Sequence, residues 1–277
     1  MVSSDGTAVI LAGDLLRTCP LPAAESRALL CHVLGVAREY LVAHPEAPVE
    51  SWARSRFDLC VAQRLAGMPL AYVVGHQEFH GHLFAVSADV LVPRPDTELL
   101  VDTAIAFLVG AVGARVLELG TGSGCIAISL SLARPDLYVV ATDRSLAALR
   151  VARRNQSELG ANVQFVSADW MAPIGGTWDL VIANPPYIAD GDAHLDALGF
   201  EPATALTSGP DGLLDLRRIA QQVPGRLAPG GQLLVEHGYD QGSAVRRLLA
   251  EAGFHEVSTL RDLAGHERIC VGKWGGG

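Results

Sequence analysis

From Arg115 onward the chain alternates short apolar runs with helical stretches. "RVLELG", "LYVVATD", "VQFVSAD" and "DLVIAN" are separated by segments such as "SLAALRVARRNQSELG". Alternation of this kind predicts a parallel sheet with helices on both faces, because parallel neighbours need a crossover between them. The end of the chain breaks the rhythm. "GQLLVEHG" and a helix around Val245 to Ala252 are followed by "HEVSTLRD" and "ERICVGKW", with only a short loop between the last two. Strands joined so tightly must be antiparallel neighbours.

The part before this is built differently. Up to Gly75, Leu11, Leu15 and Leu16, then Leu29, Leu30, Val33 and Leu34, then Phe57, Val61 and Leu65 recur at helical spacing, and Pro20, Pro22, Pro45, Pro48 and Pro69 punctuate the segments. A bundle of four or five helices is expected over residues 1–75. "QEFHGHLFAVSADVLV" then suits a β-hairpin linker over residues 76–92, and residues 93–277 form the doubly wound domain, opening with a helix from Leu99 to Val112. The expected fold class is α/β: a Rossmann-like, mostly parallel seven-stranded sheet with a C-terminal antiparallel hairpin, the outline of class I methyltransferases, plus the helical bundle. The terminal Gly275-Gly276-Gly277 reads as a frayed tail.

Composition excludes several classes. The longest uncharged apolar stretch, Thr103 to Ala114, is far short of the roughly 20 residues of a membrane span. "MVSSDGTAVILAGDLL" has no basic segment ahead of its apolar part, so no secretory signal is expected and a cytoplasmic location is. Five scattered cysteines without a C-x-x-C predict buried thiols, neither a disulfide framework nor a zinc site. The net charge of −9 divides into −1 over residues 1–75 and −8 over the rest, and Lys273 is the only lysine. Duplex-binding proteins carry a basic footprint, and none is legible here. His76, His80 and His82 share strand parity, but a turn at His80-Gly81 would splay them, so no metal is expected.

"VLELGTGSGCIAI" places Gly120, Gly122 and Gly124 between the first strand and its helix, around Thr121 and Ser123. Glycines let the backbone turn sharply and approach a ligand closely there. A dinucleotide fingerprint would need glycine at Cys125, so pyrophosphate binding is disfavoured. Glu118 and Asp143, at the ends of the first two strands, suit a nucleoside whose ribose offers two hydroxyl donors. Asp169, read as the end of the third strand, and Trp170 suit an adenine amino group and ring. Taken together at three successive strand ends, these residues predict S-adenosyl-L-methionine as the cofactor.

"DLVIANPPYI" runs a buried strand into Asn184, Pro185, Pro186 and Tyr187. Both Asn184 and Pro185 precede a proline and are held extended, and neither proline has an N–H. Such a turn presents acceptors: the Asn184 side-chain oxygen and the Pro185 carbonyl. They match a planar NH₂ group, whose lone pair is delocalised and must be oriented before it can attack a methyl group. Tyr187 can stack on the flat group and offer its hydroxyl. Adenine N6, guanine N2 and a glutamine side-chain amide all satisfy this pattern.

"PLAYVVGHQEF", "VLVPRPDTELLV", "VLELGTGSGCIAI", "ATDRS", "ADW", "NPPYI", "FEPATAL" and "EHG" together resemble the release-factor glutamine N5-methyltransferase family over nearly the whole chain. The resemblance implies transfer of a methyl group from S-adenosyl-L-methionine to the glutamine of the Gly-Gly-Gln motif of class I peptide-chain release factors. It implies that Gly120 to Gly124, Asp143, Trp170 and Asn184 contact the cofactor, and that Asn184 to Tyr187 hold the glutamine. The "PRPDTE" loop, with Arg94, is implied to border the substrate, and residues 1–75 to dock the factor. No direct nucleic-acid or membrane partner is expected, and a monomer is. Relative to the family pattern, "HLDALGF" from His194 to Phe200 is a shortened stretch.

Overall fold

A computed structural model describes residues 10–276. Residues 1–9, where a signal segment would begin, and Gly277 of the terminal glycines lie outside the described residues. The chain divides into two compact units, one ending at Gly75 and the other beginning at His76.

In the first unit, β1 (Ile10–Leu11) leads into α1 (Ala12–Thr18), α2 (Ala23–Leu34) and α3 (Arg38–Ala43). β2 (Pro48–Val49), α4 (Ser51–Leu65) and α5 (Leu70–Val74) complete it. The expected bundle therefore has five helices among the described residues, together with a two-residue antiparallel pairing of β1 and β2 that the proline-rich text around it did not suggest. α2 buries Ser26, Leu29, Leu30 and Val33, and α4 buries Ala53, Phe57, Cys60 and Val61. Each set is one helical face, and the two pack into a common core with Leu15 and Leu41. Gly35 and Gly75, both left-handed, stop α2 and α5 where a side chain would be strained.

The second unit opens with the hairpin β3 (His76–Phe79) and β4 (His82–Ala85), which turns at His80-Gly81. His80 bonds Asp102 through Nε2 at 3.1 Å, and no cluster of metal-ligating side chains occurs among the described residues. Then follow α6 (Glu98–Phe107), β5 (Arg115–Leu119), α7 (Cys125–Ala133), β6 (Tyr138–Asp143), α8 (Leu146–Leu159), β7 (Val163–Ser167) and β8 (Trp178–Ala183). The unit ends with α9 (Leu214–Gln222), β9 (Leu227–Glu236), α10 (Gly242–Glu251), β10 (His255–Arg261) and β11 (Glu267–Lys273).

The seven strands lie in the order β10-β11-β9-β8-β5-β6-β7. All neighbours are parallel except those of β11, which runs antiparallel to both β9 and β10, as the alternation and the tight final loop predict. Side chains sort by the two-residue period of a strand. Val116, Leu180, Ile182 and Leu234 pack on one face with α6 and α7, while Leu117, Val181, Ala183 and Val235 pack on the other with α9 and α10. Strand order reverses between β5 and β8, and the carboxyl ends of those strands open the crevice in which such sheets bind ligands. No helix among the described residues is long and apolar enough to cross a membrane.

Two boundaries differ from the sequence reading. α6 ends at Phe107 rather than Val112, because Gly110 and Gly113 take positive φ and turn the chain, leaving Val109 and Val112 exposed. β7 stops at Ser167, so Asp169 lies beyond the strand, in an isolated bridge to Ala172.

Candidate active site

The loop from β5 to α7 is held by its own backbone and by two carboxylates. Gly120, Gly122 and Gly124 all have positive φ. A β-carbon on Gly124 would also come within 2.9 Å of the Ile128 side chain and 3.2 Å of the Ala152 β-carbon, whereas one on Gly122 would meet open space. Gly124→Ala should therefore destabilise the fold by about 1–3 kcal/mol, and Gly122→Ala by less, when both are compared in urea titrations. Glu118 is buried, and its Oε2 accepts from the Thr121 hydroxyl at 2.6 Å and from Ala127 N–H at 3.1 Å. Burial outweighs these bonds and pushes its pKa up to about 8. Asp143 accepts from the Gly122 and Ser145 amides at 2.9 and 2.8 Å, and the Ser145 hydroxyl caps α8 by accepting from Ala148 N–H.

Trp170 follows β7 with φ 53°, an uncommon conformation for so large a residue. Its ring packs over Gly120, where an added β-carbon would sit 3.0 Å away, and its indole N–H donates to Asp215 at 3.1 Å. Asp215 in turn accepts from the Ser208 hydroxyl at 3.0 Å. The Asp169 carboxylate is paired with the Arg218 guanidinium.

At the end of β8 the Asn184 amide donates from Nδ2 to the Thr97 hydroxyl at 3.1 Å. The Tyr187 hydroxyl donates to Glu236 Oε1 at 3.3 Å, and its carbonyl accepts from the Gln241 amide at 2.9 Å. The chain leaving this turn is clamped to the "FEPATAL" segment, Ile188 N–H donating to Leu206 and Ser208 N–H to Ile188. Glu201 of that segment, nearly fully buried, accepts from Val92 N–H at 3.0 Å and pairs with Arg94. The shortened stretch before it forms an exposed 3₁₀ turn, Ala193–Leu198.

These elements enclose a cavity of about 260 Å³. Its wall brings together Arg94, Glu118, Gly120, Thr121, Gly122, Ser123, Asp143, Asp169, Trp170, Asn184 and Pro186. Gly124, Pro185 and Tyr187 lie outside that wall: Gly124 packs against α8, Pro185 is buried, and the Tyr187 hydroxyl is committed to Glu236. Glu118, read as a ribose acceptor, has one oxygen engaged in organising the loop. The cavity carries carboxylates at Asp143 and Asp169, with Glu118 kept largely protonated near neutral pH by its burial, which favours a cationic, hydroxyl-bearing guest.

The supporting side chains escaped the sequence reading. Thr97, Glu201, Asp215 and Glu236 are buried polar residues within quoted or neighbouring segments, yet nothing local marks their distant partners. Asn155 of α8 is a further one. It is fully buried, donating to the Ser123 carbonyl at 2.9 Å and to the Ala85 carbonyl at 3.0 Å, and accepting from Ala85 N–H at 2.7 Å.

Comparison with known proteins gives concordant matches. Residues 96–201 match the Methyltransferase small domain family, and residues 7–75 match the PrmC N-terminal domain family. A release factor glutamine methyltransferase from Bordetella pertussis is 52% identical over 94% of this chain and 97% of its own length. One from Neisseria gonorrhoeae is 46% identical over 92% of this chain and 94% of its own length. In fold, the chain is similar to a methyltransferase from Pyrococcus furiosus, with a TM-score of 0.52 at 17% identity, covering 82% of this chain and 100% of that one.

Proposed function

The chain belongs to the release factor glutamine methyltransferase family, and from that membership we propose how its cavity works and on what. The enzyme transfers a methyl group from S-adenosyl-L-methionine to the N5 side-chain nitrogen of a release-factor glutamine, which we identify as that of the Gly-Gly-Gln motif in class I peptide-chain release factors. The residues of the cavity fit this cofactor. The Asp143 and Asp169 carboxylates suit its cationic groups and its ribose hydroxyls, and the open side of Gly122 admits close approach of a ligand to the backbone.

One observation carries the catalytic reading. Asn184 stands on the cavity wall with its amide nitrogen already engaged by Thr97, which leaves its oxygen as an acceptor. The bound cofactor supplies an electrophilic methyl group on a sulfonium. Asn184 Oδ1, on the wall, accepts one N–H donor of the glutamine amide; the Pro185 carbonyl, buried just behind the wall in this structure, is assigned the other, and the rigid Pro-Pro turn holds the pair in place. So held, the nitrogen presents its lone pair to the methyl carbon. Transfer would form the N–C bond at the expense of the methyl–sulfur bond that the cofactor supplies, and the chain's part is to keep the two acceptors fixed while it does so. The nitrogen would then lose one proton to solvent, so that the product amide carries one N–H and one N–CH₃. Asn184 and Pro185 favour the positive charge that develops on nitrogen because both are acceptors. Arg94 and Pro186 border the substrate side, and Tyr187 supports the turn from behind through Glu236.

Residues 1–75 are proposed to dock the release factor, with the enzyme acting as a cytoplasmic monomer that binds no nucleic acid directly. Labelled methyl transfer to purified release factor, tRNA and DNA in parallel tests the substrate class: label should appear in the factor alone. A chain lacking residues 1–75 should still bind cofactor but need about tenfold more intact factor for half-maximal rate. An unchanged requirement would remove the docking role.

A further inference from the structure

Behind Asn184 lies a pair of buried polar side chains that the reaction as described does not use. Thr97 is 3% exposed and Glu236 2% exposed. Thr97 Oγ1 accepts from Asn184 Nδ2, and Glu236 Oε1 accepts from the Tyr187 hydroxyl. Glu236 Oε2 makes no hydrogen bond of normal geometry, although the Thr97 hydroxyl is near enough to lower the pKa of Glu236. One buried carboxyl thus sits behind the Asn-Pro-Pro-Tyr turn, hydrogen-bonded to Tyr187 at one end and close to Thr97, which holds Asn184, at the other.

We propose that Glu236, acting through Thr97, sets which way the Asn184 amide faces and so makes the turn an acceptor of substrate N–H groups. This rests on the reading of Asn184 as the glutamine acceptor. Donor and acceptor counts decide the orientation. An ionised carboxylate only accepts, and a threonine hydroxyl has one proton to give. If that proton goes to Glu236, Thr97 has only lone pairs left for Asn184. The amide must then turn Nδ2 inward and Oδ1 toward the cavity. If Glu236 carries a proton, it can donate to Thr97, whose own proton is freed for Asn184 Oδ1. The amide can then flip and present N–H groups to the N–H groups of the substrate, a repulsive arrangement. Glu236 and Thr97 are positioning residues, since neither is assigned contact with the reacting atoms.

The ionisation of Glu236 is set by groups on several elements. Burial raises its pKa to about 7 against the Thr97 hydroxyl, the Tyr187 hydroxyl and the Arg268 guanidinium on β11, which lower it, and Asp96 in the 3₁₀ turn before α6 adds to the rise. Burial and the Glu236 charge together push the Tyr187 phenol well above its ordinary range, with Arg268 and Arg94 opposing, so Tyr187 stays a donor. Cys125 at the start of α7 is pushed up to about 12, chiefly by burial, and stays a neutral thiol. Glu236 is therefore the group among these that changes charge near neutral pH. Its ionised form is the competent one, so the rate constant should rise with pH through about 7.

The experiment uses the full chain with three readouts. In wild type, the Asn184 side-chain amide signals in ¹⁵N-labelled protein should shift with pH around neutrality, and single-turnover methylation of a release factor should show a rising limb over the same range. Glu236→Gln should flatten both profiles and lower the rate constant about tenfold at pH 8, with cofactor affinity by calorimetry changed less than about twofold. Thr97→Val, which keeps shape but not the hydroxyl, should lose a similar factor, and Thr97→Ser should lie closer to wild type. The relay is overturned if Glu236→Gln keeps the pH-dependent amide signal and rate, or if Thr97→Val is as active as Thr97→Ser. If wild type shows the amide titration but never methylates the factor, the substrate reading fails and the relay stands.

Discussion

Replacing Asn184 by alanine should lower the single-turnover rate constant for glutamine methylation by about 10²–10³, the scale for losing one preorganised polar partner of a transition state. Cofactor affinity should change far less, because Asp143, Asp169 and the glycine loop are untouched and Asn184 is one wall residue among many. Asn184→Asp is the sharper variant. It keeps an acceptor of the same shape, and were acceptance alone the requirement it would exceed alanine in activity. The structure gives the opposite expectation. Nδ2 donates to Thr97, and a carboxylate there loses that donor, adds a charge beside the buried acid Glu236, and, if the Thr97 proton is held by Glu236 as proposed, faces only lone pairs. Asn184→Asp should therefore be as slow as Asn184→Ala. An aspartate variant near wild-type rate would show that the amide donor is dispensable.

Asp143→Ala should weaken S-adenosyl-L-methionine binding by about 1.5–3 kcal/mol, or roughly 10–150-fold, the range for hydrogen bonds to a charged group. Two losses act together. The carboxylate proposed to accept the ribose hydroxyls disappears, and so do its bonds to the Gly122 and Ser145 amides, which hold the loop against the end of β6. Asp143→Asn should fall between alanine and wild type, since one oxygen remains to accept from the backbone. Calorimetry separates the cases, and unchanged affinity in Asp143→Ala would remove it from the cofactor site.

What could be read from sequence follows physical periodicity. The doubly wound sheet was legible because each strand and helix buries a face, and burial leaves a local pattern of apolar residues. The strand-end carboxylates and the glycine loop were legible because their spacing is set by that same sheet. The misreadings have local causes. Val109 and Val112 extend an apolar pattern that Gly110 and Gly113 had already turned, and Asp169 looks like a strand end because "VQFVSAD" has no break before it. Long-range polar pairs left no trace at all. Thr97 lies 87 positions from Asn184, and Glu236 lies 49 from Tyr187, so no window of sequence contains both partners. Tyr187 was read as facing the substrate for that reason: its partner Glu236 becomes visible only once β9 is laid beside β8. Arg94 is on the cavity wall as the resemblance implied, but the carboxylate that steadies it, Glu201, is 107 positions away.

On this reading the cavity directs one methyl group onto one planar nitrogen of a protein. The most direct measurement is single-turnover reaction of the enzyme with labelled S-adenosyl-L-methionine and an intact class I release factor, followed by fragmentation mass spectrometry of the product. A single added methyl on the side-chain nitrogen of the Gly-Gly-Gln glutamine, absent when Asn184→Ala replaces wild type, is the predicted result. Methylation of any other group, or the same glutamine methylated at an undiminished rate by Asn184→Ala, would contradict it.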